Sequence, residues 1–484
     1  MVAVMKDGRG RWLALGAIVL CMLTLGFDGT ILNVALPTLA TELGAGVSEL
    51  QWIVDAYILV FAGLLLPAGA LADRVGRKRV LLAGLGLFGA ASLVATYATS
   101  AGTLVGARAL MGIGAAVLTP TTLAVLPAIF PPEQRARAVA VAMMAAGVGI
   151  PLGPIVGGWL LRHFWWGSVF LVNLPVVAVA AVAVVALIPE TRDPEPRPAD
   201  LVGGALSTVG LVGLIYGVIE VPQRGWADAR VLCAIGAGAA VLAAFVWWER
   251  RSAYPMIDLL WFARVRFLWG SLAATLATFA MFGVLFVLPA YLQLVLGHDA
   301  LGVGVRLIPM MAGLIVGAAA SERLVGRLGA RIPITVGLVV AAVGLGLGAR
   351  TDLGDGYAST ALWLAVLGFG TGSAMAPAMA VVLDDLPAER AGAGTAITMT
   401  LRQVGAALGV ALLGSLLSGQ LDGRGIAEST PAAYVHAMDV VLAACAGLAL
   451  IGAVCVAMFL RGQPVATAPP GEEESHHDVV ARPA

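Results

Sequence analysis

At 484 residues, with 60% hydrophobic and 12% charged residues and a mean hydropathy of +0.94, the chain is far from the roughly 45–50% apolar, 25% charged make-up of a soluble domain. That composition leaves no room for a large water-soluble domain, and a formal net charge of zero gives no electrostatic footprint for a nucleic-acid partner. Runs of about 20 apolar residues recur along nearly the whole length, each enough to cross a hydrocarbon core of roughly 30 Å, so the chain reads as an all-α polytopic membrane protein.

The first apolar run, from Trp12 to about Leu39, is too long for a signal-peptide core and carries Asp28 inside it. With no small-residue cleavage site behind a short core, it reads as a retained first span. Apolar windows bounded by charge or turn clusters then give fourteen spans: 12–39, 50–71, 80–98, 103–127, 138–161, 168–188, 201–219, 230–248, 267–291, 302–321, 332–349, 358–381, 394–418 and 437–460. An even number puts both termini on one side. On this layout twenty-one of the 29 Lys and Arg residues fall on the terminal side and six on the other, while Arg108 and Arg402 lie within spans. The positive-inside rule therefore predicts cytoplasmic termini and a multi-pass protein of the cell membrane. Cys21, Cys233, Cys445 and Cys455 all sit in apolar runs without metal-ligand spacing, so they read as small buried hydrophobes and no metal is expected.

Between spans two and three lies a dense charge cluster, Gly69-Ala70-Leu71-Ala72-Asp73-Arg74-Val75-Gly76-Arg77-Lys78-Arg79. Gly69 and Gly76 permit close approach and a tight turn, and Asp73 can face the partly positive N-terminus of a neighbouring helix. Arg74, Arg77, Lys78 and Arg79 can meet carboxylates and anionic headgroups. A weaker copy, Gly326-Arg327-Leu328-Gly329-Ala330-Arg331, follows 253 residues later. Phe130-Pro131-Pro132-Glu133-Gln134-Arg135 likewise resembles Leu386-Pro387-Ala388-Glu389-Arg390, and Pro37 of span one matches Pro289 of span nine. Similar offsets spanning eight helices predict a duplicated six-helix bundle with two helices inserted. The expected division is a first bundle over 1–188, a linker and two inserted helices over 189–266, a second bundle over 267–461, and a disordered cytoplasmic tail over 462–484. The tail's His476-His477 reads as solvated.

Ionisable residues at membrane depth cost about 2.5–3.5 kcal/mol on insertion scales and mark functional sites by default. Asp28, Asp55 and Arg108 all fall in the outer half of the bilayer at similar depth, close enough in height to meet. One Arg can neutralise one carboxylate, which gives the second a reason to bind a proton, the requirement of a proton-coupling device. At the repeat offset Asp28 becomes Ala280, so coupling looks one-sided. Arg402, the sole deep charge of the second half, could bind an anionic moiety, pair with a carboxylate across the cleft, or return to backbone carbonyls. Candidate substrate-cavity residues are Asn33, Trp52, Tyr57, Phe61, Met111, Phe282, Tyr291, Trp363, Phe369, Met399 and Arg402, apolar surface with a few polar anchors.

These motifs resemble those of the major facilitator superfamily. The hairpin from Gly69 to Arg79 looks like its loop signature between spans two and three. Gly149-Ile150-Pro151-Leu152-Gly153-Pro154-Ile155-Val156-Gly157-Gly158 matches the span-five motif associated with antiporters. Phe27-Asp28-Gly29-Thr30-Ile31-Leu32-Asn33-Val34-Ala35-Leu36-Pro37 resembles the span-one signature of the fourteen-span drug:proton antiporter family. The resemblance implies two six-helix bundles that rock about a midplane substrate site, a hairpin acting as a latch between halves in the outward-open state, and an acid and an Arg of the coupling site at Asp28 and Arg108, with Asp55 at a third family position. It departs at Met111, where the span-four signature has Gln. The glycines at 149, 153 and 157 share one helix face, expected to pack against the other half and seal it against leaks.

The implied function is proton-coupled export of amphipathic or cationic drugs or antibiotics by alternating access, driven by the proton gradient with no cofactor, by an expected monomer. Its partners are small-molecule substrates, protons and the lipid bilayer. A dedicated exporter of one metabolite or antibiotic is the alternative. An import symporter fits the span-five motif less well, and an intramembrane enzyme lacks any HExxH, Gly-x-Ser-x-Gly or paired-His signature.

Overall fold

The computed structural model describes residues 8–192, 200–255, 257–384, 391–421 and 426–460. Among these, fourteen helices are long and apolar enough to cross a membrane. In order, spans one to fourteen are Gly10–Glu42, Val47–Val75, Arg77–Thr96, Ala101–Ile129, Glu133–His163, Ser168–Leu187, Leu201–Arg224, Ala229–Arg251, Val265–Val295, Ala300–Leu328, Arg331–Gly348, Tyr357–Asp384, Gly394–Gln420 and Pro431–Phe459. No strand occurs among the described residues. The tail 462–484, the linker residues 193–199 and the Pro-Ala-Glu-Arg sequence at 387–390 lie outside them.

Most helices run a few residues past their apolar windows because polar caps continue the hydrogen bonding. Ser100, Asp200, Asp299 and Thr430 each accept a backbone N–H from the first turn of the following helix. Some spans are interrupted. Span six breaks at Val172 before Asn173, and span ten breaks at Leu307 before Pro309. Span nine ends, beyond Pro289, in a π-helical turn over Tyr291–Val295.

The duplication appears in the packing. Spans one and five, two and four, three and four, one and six, and three and six pack together, and the same pairings recur among spans nine to fourteen with a shift of eight. Gly76 ends span two at φ +121° and Gly329 ends span ten at φ +70°, so both copies of the basic hairpin turn through a conformation that favours glycine. The inserted spans seven and eight pack on each other, and span seven also lies against spans two and thirteen. Small residues allow that approach: Gly63 faces Thr208 and Gly204 faces Pro67.

The two halves are tied together at the end opposite the basic hairpin. Gln51 Nε2, near the start of span two, donates to the carbonyls of Val410 (3.1 Å) and Ala411 (2.7 Å) in span thirteen. Gln293 Nε2 donates to Val34 O at 3.2 Å. Gly158 presses on Ala300, Gly304 presses on Pro154, and Arg162 pairs with Asp299 at 3.5 Å. Span seven braces this seam from the side: Ser415 Oγ donates to Val218 O at 3.0 Å, and Gln223 Nε2 donates to Ser48 Oγ at 2.9 Å.

Candidate functional site

Asp28 and Arg108 meet in the first half. Arg108 Nη1 lies 2.8 Å from Asp28 Oδ2, with the two side chains 2% and 0% exposed. The other carboxylate oxygen accepts from Asn173 Nδ2 at 3.1 Å, and that amide also approaches Ser92 Oγ at 3.4 Å. Arg108 Nε donates to the Ile53 carbonyl at 3.2 Å, and its guanidinium lies 4.2 Å from the centre of the Tyr57 ring. Span four approaches span two here because Gly112 lacks a side chain: a Cβ would sit 2.6 Å from Tyr57 O. The site is thus a hydrogen-bonded ion pair built from spans one, two, three, four and six. Two members, Asn173 and Ser92, escape a search confined to ionisable residues. The signal that could have found Asn173 is a lone amide in an apolar run, next to the Leu-Pro that opens a helix.

Asp55 does not join the pair, contrary to the expectation from depth. It is fully buried, and neither carboxylate oxygen has a hydrogen-bond partner. The reason is azimuth. Ile53 and Tyr57 are four residues apart on one face of span two and both touch Arg108. A residue midway between them points about 200° away. Asp55 instead shares the face of Gln51, one turn on, toward the seam with span thirteen.

A cavity of about 180 Å³ lies between the halves. Its wall comes from spans one, two, four, five, nine and thirteen: Met22, Leu25, Gly26, Gly29, Thr30, Tyr57, Ile58, Phe61, Thr119, Met143, Ala146, Ile150, Thr278, Met281, Phe282, Met399, Arg402 and Gln403. Of the candidates named from sequence, Tyr57, Phe61, Phe282, Met399 and Arg402 line it. The other six do not. Asn33, Met111, Tyr291 and Trp363 are buried, Trp52 packs on Tyr216 of span seven, and Phe369 lies where Gly313 and Gly317 press span ten onto span twelve. Aromaticity marks bulk but not facing, so Thr30, Thr278 and the small residues of spans one and five were passed over.

Among the described residues, the hairpin's polar contacts are made within the first half. Asp73 pairs with Arg77 at 2.8 Å, and Glu190, just beyond span six, accepts from the Lys78 backbone and lies 3.5 Å from Arg79. Lys78 Nζ donates to Val185 O, and the Arg77 N–H to Thr191 O. Among the described residues Arg74 has no ion pair, and Gly69 rests on Pro120 of span four. The span-five motif also differs from expectation. Gly149, Gly153 and Gly157 pack on span one of their own half, where Cβ atoms would meet Leu23 O at 2.7 Å, Phe27 O at 2.7 Å and Ile31 O at 3.1 Å. Thr30 Oγ1 donates into the same contact, to Ile150 O at 2.8 Å. Pro154, Ile155 and Gly158 of the motif touch the other half, through span ten. The glycines at spacing four match the Gly26-Phe27-Thr30 face of span one, leaving the other half to the motif's far end.

Comparison with known proteins settles the family. The model of the major facilitator superfamily matches residues 18–410. The chain belongs to that superfamily. The Salmonella typhimurium methyl viologen resistance protein SmvA is 36% identical over 416 residues, 84% of this chain and 83% of the relative. The Mycolicibacterium smegmatis multidrug efflux pump LfrA is 36% identical over 414 residues, covering 84% and 81%. The tetracenomycin C resistance and export protein of Streptomyces glaucescens is 32% identical over 415 residues, covering 85% and 77%. Among solved structures, an inward-facing, occupied bacterial homologue of the human lysosomal transporter Spinster superposes with a TM-score of 0.69 at 17% identity, covering 94% of this chain and 98% of that one. With fourteen spans and these relatives, this major facilitator protein falls in the drug:proton antiporter family that its motifs resemble.

Proposed function

We propose that this protein is a proton-coupled exporter of amphipathic, drug-like molecules that works by alternating access, a transporter and not an enzyme. The observation that carries the reading is Tyr57. One face of its ring meets the Arg108 guanidinium, and the same side chain lines the cavity between the halves. A ligand in the cavity therefore presses on the residue that positions the Asp28–Arg108 pair. The distribution of Lys and Arg puts the hairpin end in the cytoplasm together with both termini. The halves are hydrogen-bonded at the other end, so substrate enters from the cytoplasm in this conformation.

Asp55 supplies the proton step. Neither of its carboxylate oxygens has a hydrogen-bond partner, so the group is free of the fixed ion pair that holds Asp28. Its face of span two looks into the seam that Gln51 closes. Separating spans two and thirteen uncovers Asp55 to the outside, where it takes a proton; once the outer seam has closed again the proton leaves to the cytoplasm, and the carboxylate is free to take the next one. The Asp28–Arg108 pair is the partner switch, remade or broken as Tyr57 moves. In the opposite conformation the cytoplasmic ends close, and Asp73, released from Arg77, serves as the latch to the second half. The gradient is the energy source and no bound cofactor enters the cycle. One chain forms the whole cavity, so a monomer suffices.

The relatives' names, methyl viologen resistance, multidrug efflux and tetracenomycin C export, support export as the direction. The last favours a second reading, a dedicated exporter of one antibiotic. Dye uptake into everted vesicles tests both. A gradient-dependent signal that collapses with an uncoupler supports proton-driven multidrug export. Uptake unaffected by the uncoupler removes proton coupling, and a protein active on a single antibiotic but on no dye is the dedicated exporter.

A further inference from the structure

The membrane interior holds two arginines, and they differ in kind. Arg108 has its counter-ion built in, whereas Arg402 has none within ion-pair distance among the described residues. Arg402 Nε donates to Thr278 Oγ1 at 3.3 Å, and the Thr278 hydroxyl is itself committed as donor to Ala274 O at 2.8 Å. Nη2 faces only the Met375 thioether at 3.9 Å, a weak acceptor. The guanidinium is thus held by one edge, and Arg402 lines the cavity; a guanidinium fork can receive two oxygens side by side. Among the described residues, no Asp or Glu lines the cavity.

Resting on the export reading above, we propose that the cavity selects amphipathic substrates that carry a carboxylate or equivalent oxyanion, which Arg402 takes as its missing counter-ion. Leaving a cation uncompensated in a low-dielectric wall is costly, and a bound oxyanion removes that cost. The apolar body of the ligand lies against Tyr57, Phe61 and Phe282, with Met281 and Met399 adapting to its outline. A cationic ligand finds aromatic faces here but no carboxylate in the wall.

Two dyes that differ only at this group test the proposal: rhodamine 110, with a free benzoate, and rhodamine 123, its methyl ester. Binding to the purified full-length protein in detergent is read by fluorescence polarisation. The wild type is expected to bind rhodamine 110 about tenfold more tightly, the ratio for one charge-assisted hydrogen bond. Arg402→Gln is expected to weaken the acid alone and erase the difference, while Arg402→Lys keeps part of it. Equal binding of the two dyes by the wild type overturns the proposal, as does equal weakening of both by Arg402→Gln in a protein whose melting temperature is unchanged. Everted-vesicle uptake separates the two readings. Transport of rhodamine 123 without acid preference leaves the exporter standing and removes this selectivity, whereas acid-selective binding without transport of either dye does the reverse.

Discussion

Asp28 carries two bonds that hold a charge in the membrane, one from Arg108 and one from Asn173. Removing one partner of such a pair strands the other and costs roughly 3–5 kcal/mol. Asp28→Asn is therefore expected to lower the melting temperature in detergent as well as to stop proton-driven efflux. The double variant Asp28→Asn, Arg108→Gln should recover much of the stability and none of the transport, since no stranded cation remains. Recovery of transport would make the pair a packing element alone. The contrast with Asp55 shows what a sequence makes legible at this scale. Charge in an apolar run marks all three residues, and depth along the helix follows from rise per residue. Facing around the helix needs a neighbour to be known, and Ile53 and Tyr57 supply it for Arg108 while turning Asp55 toward Gln51. Asn173 was missed because a neutral amide gives no charge signal.

Spans one and five show the same limit for whole elements. Their glycines announce a close approach, and the structure supplies the partner. Gly149→Ala would put a methyl 2.7 Å from Leu23 O and 2.8 Å from Phe27 N, both backbone atoms that cannot swing aside. Overpacking of this kind costs about 1–3 kcal/mol. Gly147→Ala, with nothing within 4 Å of its Cβ, is the control and should leave the melting temperature unchanged. Equal melting temperatures for the two variants would contradict the packing described. In the hairpin, Asp73→Asn is expected to leave membrane insertion intact and to cut transport, because the Asp73–Arg77 pair is partly exposed and worth little to stability. Unchanged efflux at equal expression would reduce the hairpin to a topology signal.

Across the whole molecule, hydropathy and the 253-residue offset made fourteen spans and the duplication readable, because lipid imposes length and polarity on every helix. The seam between halves was not readable, since it depends on carbonyls meeting Gln51 and on span seven lying beside it. Arg162 and Asp299 face each other across this closed end, half-exposed and 3.5 Å apart. Cysteines replacing both should be joined in this conformation by a short, reducible bis-thiol cross-linker, which arrests transport until it is cleaved; transport continuing in the cross-linked protein would mean that the halves do not part there. The central claim is exchange of substrate for protons, and the direct measurement is proton flux in proteoliposomes carrying a trapped pH dye, with a substrate gradient and no imposed pH gradient. Protons are expected to move against the substrate in the wild type and to stop in Asp28→Asn. Substrate movement in the wild type with no accompanying change in internal pH would contradict the account.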